Sequence, residues 1–359
     1  MSFRNLKRMK IRKSTLLYIF IILFFMILCY TLFVAKHLQT ESEVNIPLDG
    51  PQPIIFIGGY PRSGTTLMRV LLDVHPMIRC GPETRVIPKM LGVRKLWGEG
   101  VENARLKAAG LYPEAVDSAV RSFILSIIKN AGENAPVLCN KDPLSFNHLS
   151  YLADLFPEAK FVHMVRDGRA VVNSLVKRHV RIKGTPNSTV DKFYTWERRV
   201  EQFLHECALI GPGRCVTVKY ESLVLTPSKV LSELFQFLKV PWDPVVLNHD
   251  KAVHSNALSK LEPSTSQVVH PIHLASLEPS TSQVVHPIHL ASLSSWASNE
   301  SALPDDFINS IHENSKILQK LGYANLGIPP NYGTPEIKVA NITSQLHKDP
   351  EFRRIFGNK

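Results

Sequence analysis

Residues 54–66 read Ile-Ile-Phe-Ile-Gly-Gly-Tyr-Pro-Arg-Ser-Gly-Thr-Thr, and a helical pattern starts directly behind them at Leu67, Met68, Val70, Leu71 and Leu72. An apolar run, a glycine turn and a helix start, in that order, predict a buried strand feeding a helix N-terminus. Such a turn aims backbone N–H groups at one point, at the positive end of the helix dipole, and suits a phosphate. Gly59 and Gly64 have the G-x-x-x-x-G spacing of a phosphate loop, but Thr65 stands where a nucleoside triphosphatase carries its lysine. The loop's positive charge is Arg62. Arg62, Ser63, Gly64, Thr65 and Thr66 are therefore candidate phosphate ligands, without the γ-phosphate and Mg²⁺ handling of an NTPase.

The same strand–polar turn–helix device recurs at Lys160–Val165, followed by Arg166-Asp167-Gly168-Arg169 and a helical stretch over 170–178. Shorter strands are expected over 136–139, delivering Asn140-Lys141-Asp142-Pro143, and over 215–220, ending on Tyr220 and followed by Glu221. Helical spacing marks 113–130, 147–155, 191–208, 226–238 and 304–321. Strands alternating with helices predict an α/β, P-loop-like fold with a central parallel sheet flanked by helices. Ligands of such sheets sit at the carboxyl ends of the strands, where Arg62, Lys141, Arg166 and Tyr220 all fall. Residues 78–85 show no periodicity and place Glu83 between Arg79 and Arg85.

Residues 16–35 are uncharged and nearly all apolar, and six Lys/Arg with no acids lie within residues 1–13. Twenty residues of helix span about 30 Å, one hydrocarbon core. The basic cluster ahead of the run predicts a cytosolic N-terminus and a single-pass type II anchor. A cleaved signal peptide is disfavoured by the length of the run and the lack of a small-x-small site behind it. Taking those six charges from the total of +11 leaves +5, a modest excess suited to anionic ligands or acidic peptide and not demanding nucleic acid. The expected organisation is a cytosolic tail (1–15), a transmembrane signal-anchor (16–35), a luminal stem (36–52), a catalytic domain (53–335) and a C-terminal tail (336–359).

An oxidising lumen leaves Cys80, Cys139, Cys207 and Cys215 available to pair, in any of three ways. Cys207 and Cys215 flank Gly211-Pro212-Gly213 and can staple a helix end to the next strand; Cys80 and Cys139 would then join two chemistry-bearing segments. Zinc is not expected, because no C-x-x-C and no paired histidine spacing accompany them. Asn187, Asn299 and Asn341 begin N-x-[ST] sequons and are candidate glycan sites.

Residues 261–276 and 277–292 are the same sixteen letters, LEPSTSQVVHPIHLAS. Two copies cannot stack a solenoid core, so one copy is expected to be surplus.

Pro61-Arg-Ser-Gly-Thr-Thr66-Leu-Met-Arg69, Arg79-Cys80-Gly81-x-Glu83-Thr84-Arg85, Cys139-Asn-Lys-Asp-Pro143, Met164-Val-Arg-Asp-Gly-Arg169 and Tyr220-Glu221 resemble, in order and spacing, the protein-tyrosine sulfotransferases of the Golgi. The resemblance runs from about residue 53 to 335. It implies transfer of a sulfuryl group from 3′-phosphoadenylyl sulfate (PAPS) to tyrosine hydroxyls in acidic stretches of secretory-pathway proteins, by a homodimeric Golgi membrane enzyme needing no metal. It further implies that residues 62–66 cradle the 5′-phosphosulfate, that Arg166, Ser174 and Arg178 hold the 3′-phosphate, and that Tyr220 lies against the nucleotide. Glu83 would be the catalytic base and Lys141 a transition-state stabiliser, with Ser280 or Ser264 as a stabilising serine. Thr281, Gln283 and His286 would complete the donor site, Arg85, Val86, Ile87, Pro88, Lys89 and Met90 would line the peptide, and the disulfides would be Cys80–Cys139 and Cys207–Cys215. The chemistry agrees: a phenol of pKa about 10 needs a base, and a glutamate between arginines stays ionised to serve as one.

This chain departs from the family at Pro82, where the family has glutamate, at Ser295, where it has lysine before Trp296, and at His270 and His286, where it has lysine. Copy two keeps the spacing to Trp296, which favours Ser280 over Ser264. A carbohydrate sulfotransferase would share the phosphate loop but not the Glu83 and Lys141 segments. A catalytically impaired homologue that binds peptide or pairs with an active copy is the non-enzyme alternative, motivated by the duplication and the lost lysines.

Overall fold

β1 (Ile54–Gly59) buries both of its faces, and its alternation separates two cores. Ile55 and Ile57 join one apolar cluster, and Ile54 and Phe56 join another on the opposite face. The structure, a computed structural model, describes residues 23–28, 30, 53–81, 83–180, 182, 184, 187–254, 286–350 and 352–353. The chain divides into units 1–51 and 52–359. In the first, residues 23–28 and 30 of the expected anchor are helical; the remainder of it, the basic tail and the stem lie outside the described residues. Among the described residues no helix is long and apolar enough to cross a membrane.

In the second unit, α1 (Thr65–Asp73) follows β1 and leads to β2 (Ile78–Gly81), then α2 (Val86–Trp97), α3 (Gly100–Ala108) and α4 (Glu114–Lys129). β3 (Val137–Lys141), α5 (Leu149–Leu155), β4 (Lys160–Val165), α6 (Gly168–Lys177), α7 (Thr189–Ile210) and β5 (Cys215–Lys219) complete the sheet and its cover. Then come α8 (Tyr220–Leu225), α9 (Pro227–Leu238), α10 (His249–His254), α11 (Asp305–Asn314), α12 (Lys316–Lys320) and α13 (Ile337–Leu346).

The five strands are parallel in the order β2-β3-β1-β4-β5. β1 is central, so the chain leaves it toward one edge and returns to the other side, and a crevice opens at the carboxyl end of β1. Register then sets the neighbours of the loop: Ile57 pairs with Lys141 on one side and Gly59 with Met164 on the other.

Four expectations are corrected. Residues 78–81, read as aperiodic, form edge strand β2, because pairing to β3 and burial on both faces need no alternation. Tyr220 opens α8 instead of closing β5. The helix expected over 304–321 breaks at buried Ser315, whose Oγ accepts a hydrogen bond from Leu318 N at 3.1 Å and so caps α12. The segment expected as a charged tail begins with α13, whose Val339 is buried, and Phe352 beyond it is fully buried. The cysteines pair as Cys80–Cys139 and Cys207–Cys215. Cys80 and Cys139 are register partners on β2 and β3, so the bridge staples the two strands that deliver Glu83 and Lys141.

Candidate active site

The phosphate loop is built as a donor-rich turn. Gly64 caps α1 in the left-handed region at φ 93°, with no side chain satisfying the first N–H groups of the helix. A Cβ at Gly64 would lie 2.4 Å from Tyr220 Cδ2, so glycine is required there for conformation and for room. Arg62 itself takes φ 75°, which costs a non-glycine residue about 1–3 kcal/mol and is held by the surrounding structure. Ser63 is fully buried, and its Oγ has no partner among the described residues. An orphaned hydroxyl inside a ring of open N–H groups fits an anionic oxygen.

The other side of the loop is closed by α6 and by residues far along the chain. Arg62 Nε donates to Ser174 Oγ at 3.1 Å. Ser174 lies in the last turn of α6, and Arg178, four residues on, is its C-cap. Arg166 donates to the Arg62 carbonyl at 3.4 Å and to the Ser292 carbonyl at 2.7 Å, and its guanidinium stacks 4.4 Å from the Tyr220 ring centroid. Arg166 Nε has no partner among the described residues. The acidic neighbour of Arg166 belongs elsewhere. Asp167 takes a bidentate pair from Arg169 at 3.0 and 2.7 Å and a hydrogen bond from Tyr332 at 2.9 Å. Arg169 in turn stacks on Trp296 at 4.1 Å, and the Trp296 indole donates to Tyr332 Oη at 2.9 Å. Asp167 and Arg169 are thus a buried brace, and Arg166 keeps its charge for the crevice.

Ser292 was not singled out from sequence. It is the last residue of repeat copy two, identical in context to Ser276, and no local signal separates them. Trp296 does, by anchoring the residues just before it. Ile288, His289, Ala291 and Leu293 are buried there. Copy one, and Ser280, Thr281 and Gln283 of copy two, lie outside the described residues. His286, expected at the donor, has its ring 5.6 Å from that of Phe352.

On the β3 side, Lys141 Nζ donates to Glu83 Oε2 in an ion pair, and Arg85 Nε reaches Glu83 Oε1 at 3.3 Å. The Lys141 side chain is 5% exposed and that of Glu83 27% exposed. Burial pushes the Glu83 carboxyl up, but the Lys141 charge and hydrogen bonds from Lys141 and Arg85 more than offset it and hold it below the usual carboxylate range. Burial pushes the Lys141 ammonium down, opposed by Glu83. Burial and the Glu83 charge push the next carboxyl, Asp142, up to about 6. The two carboxyls are thus pushed apart: Glu83 is held ionised by its cationic neighbours, while Asp142 titrates closer to neutrality.

Glu83, Arg85, Thr65, Thr66 and Arg62 line one cavity of about 920 Å³, together with α7 residues from Thr195 to Phe203. Of the residues expected to line peptide, Arg85 lines this cavity. Ile87 is turned into the core at 1% exposure; Val86 and Lys89 are exposed, and Pro88 and Met90 half-buried. All three sequon asparagines, Asn187, Asn299 and Asn341, are exposed. Among the described residues no group of His, Cys, Asp and Glu is arranged to hold a metal.

A family model described as the Sulfotransferase family matches residues 53–244. Protein-tyrosine sulfotransferase 1 of Danio rerio is 41% identical over 321 residues, 88% of this chain and 85% of that protein. The protein-tyrosine sulfotransferase of Drosophila melanogaster is 40% identical over 318 residues, 87% of this chain and 60% of that protein. A sulfotransferase domain from the curacin biosynthetic pathway shares the fold, with a TM-score of 0.53 and 24% identity over 76% of this chain and 98% of that one. Fold and phosphate loop together are those of a sulfotransferase. Identity sustained over most of both chains narrows the class: the chain belongs to the protein-tyrosine sulfotransferase family.

Proposed function

We propose that this protein transfers a sulfuryl group from PAPS to tyrosine hydroxyls in acidic stretches of secretory-pathway proteins. The observation that carries the proposal is Glu83, ion-paired with the buried Lys141, lining the same cavity as the phosphate loop. PAPS supplies the sulfuryl group on a good leaving group. Ser63, Thr65, Thr66 and the α1 N–H groups hold the 5′ side, and Arg166, Ser174 and Arg178 hold the 3′-phosphate. Glu83, ionised at neutral pH, accepts the tyrosine proton. Lys141 then faces the oxygens on which negative charge develops. The test is labelling of an acidic tyrosine peptide by the full chain with ³⁵S-labelled donor. Wild type labels and Glu83→Ala does not; equal labelling by both sinks the assignment.

The proposal extends to a type II Golgi membrane protein with a luminal, glycosylated, homodimeric catalytic part. Its support is the basic cluster before residues 16–35, the two disulfides and the exposed sequons. Protease protection of residues 53–359 in sealed microsomes tests the orientation, glycosidase shifts test the sequons, and sedimentation tests the dimer. A second reading, a partner protein without activity, draws on Ser295 and on His286 packed against Phe352. Donor binding without labelling by the wild type would favour it.

A further inference from the structure

One face of α7 lines the same cavity as Glu83. Thr195, Arg198, Arg199, Gln202 and Phe203 are spaced i, i+3, i+4, i+7, i+8, a single stripe of the helix. The opposite stripe, Phe193, Trp196, Val200 and Cys207, is buried in the core, so α7 cannot roll to withdraw the arginines. Arg198 and Arg199 are both exposed, and neither forms an ion pair among the described residues. Each is held instead by a neutral neighbour of the stripe. Arg198 donates to Thr195 Oγ1 at 3.5 Å and Arg199 to Gln202 Oε1 at 3.0 Å. The acid one turn further, Glu206, is engaged by Gln202 Nε2 at 2.7 Å and by Ser150 N at 3.0 Å at the start of α5. His148, beside Arg199, is pushed down by burial and by the Lys95 and Arg199 charges, with Glu206 opposing, so the imidazole is neutral at pH 7 and leaves the arginine charges as they are.

The cavity thus carries four guanidiniums, of Arg62, Arg85, Arg198 and Arg199, against the Glu83 carboxylate, which Lys141 already neutralises. In the reading above, the donor phosphates take their partners from the loop and from Arg166, Ser174 and Arg178, and none from α7. We infer that the Arg198–Arg199 stripe of α7 is the acceptor wall that reads acidic residues flanking the target tyrosine, in the cavity it shares with Arg85. The inference rests on the sulfotransferase reading above and names residues outside the 85–90 segment.

The experiment compares kcat/KM for two peptides that share one tyrosine, one flanked by glutamates and one by glutamines. Wild type prefers the acidic peptide. In Arg198→Gln/Arg199→Gln the acidic-to-neutral ratio falls at least about tenfold, the effect of losing charge-assisted hydrogen bonds at a solvated site. Arg198→Lys/Arg199→Lys keeps most of the ratio, and Arg198→Glu/Arg199→Glu turns the preference toward a lysine-flanked peptide. Donor affinity by calorimetry stays at the wild-type value. If the double variant melts early, the single variants Arg198→Gln and Arg199→Gln read the same ratio. An unchanged ratio in the glutamine and glutamate variants, or a loss of donor affinity with the ratio intact, overturns the inference while leaving the sulfotransferase reading in place. Failure of the wild type to label either peptide overturns both.

Discussion

Tyr220 Oη and Ser292 Oγ lie 2.6 Å apart across 72 positions of sequence. The bond ties the start of α8 to the last residue of the second sixteen-residue copy, and Arg166 braces both by stacking on the ring and donating to the Ser292 carbonyl. Ser292→Ala removes the hydroxyl partner and leaves the carbonyl. Donor Kd is expected to rise about three- to tenfold, the worth of one net hydrogen bond, with kcat little changed. Titration calorimetry with the desulfated donor product checks it.

Of the repeat, the described residues 286–292 pack against the domain, anchored by the turn up to Trp296. Removing sixteen residues, which gives one product whichever copy is cut, leaves that anchored end in place. Donor affinity and melting temperature of the single-copy protein are expected to match those of the full chain. A single-copy protein that no longer binds donor would show that both copies are needed.

The bridge Cys80–Cys139 closes a separation of 59 residues and Cys207–Cys215 one of 8. Loop entropy assigns them about 4 and about 2.5 kcal/mol. Cys80→Ser/Cys139→Ser should therefore lower the denaturant midpoint more than Cys207→Ser/Cys215→Ser. It should also lower kcat, because Glu83 and Lys141 come within three residues after these cysteines.

His163 is fully buried in β4 against Thr217, and burial pushes its imidazole down to about 3. His289 is pushed to about 3 as well, by burial and then by His286, His347 and His249. In the unfolded chain both return to about 6.5. The unfolded state then binds more protons as pH falls, so this stability is complete above about 6.5 and is lost toward 3. By pH 5 each histidine accounts for a loss of about 2 kcal/mol. Urea midpoints between pH 7.5 and 5 should drop for the wild type and drop less steeply for His163→Gln.

Much of the site was legible because its residues sit where two local signals meet. Arg62, Lys141 and Arg166 each come after an apolar run and before a turn or helix, and a parallel sheet gathers such positions at one end. Less was legible where pairing, not pattern, makes the element. β2 carries Arg79 and Gly81 in a buried edge strand, stabilised by β3 and a disulfide that local periodicity does not register. The stripe of Arg198 and Arg199 looked like any solvated helix face, since a helix reads the same whether its polar side meets water or a cavity.

The residue order in 54–66 was enough to require a strand, a phosphate turn and a helix, because glycine conformation and N–H geometry are local. The motifs downstream of it named the family. Which acid sits by which base was a matter of register: Asp167 comes directly after Arg166 in the chain yet pairs with Arg169, and Glu83 finds Lys141 through the β2–β3 pairing. Nor do the two identical copies differ in any letter. They differ in distance from Trp296, and a buried indole held by Arg169 and Tyr332 anchors Ser292 of the second copy beside Tyr220.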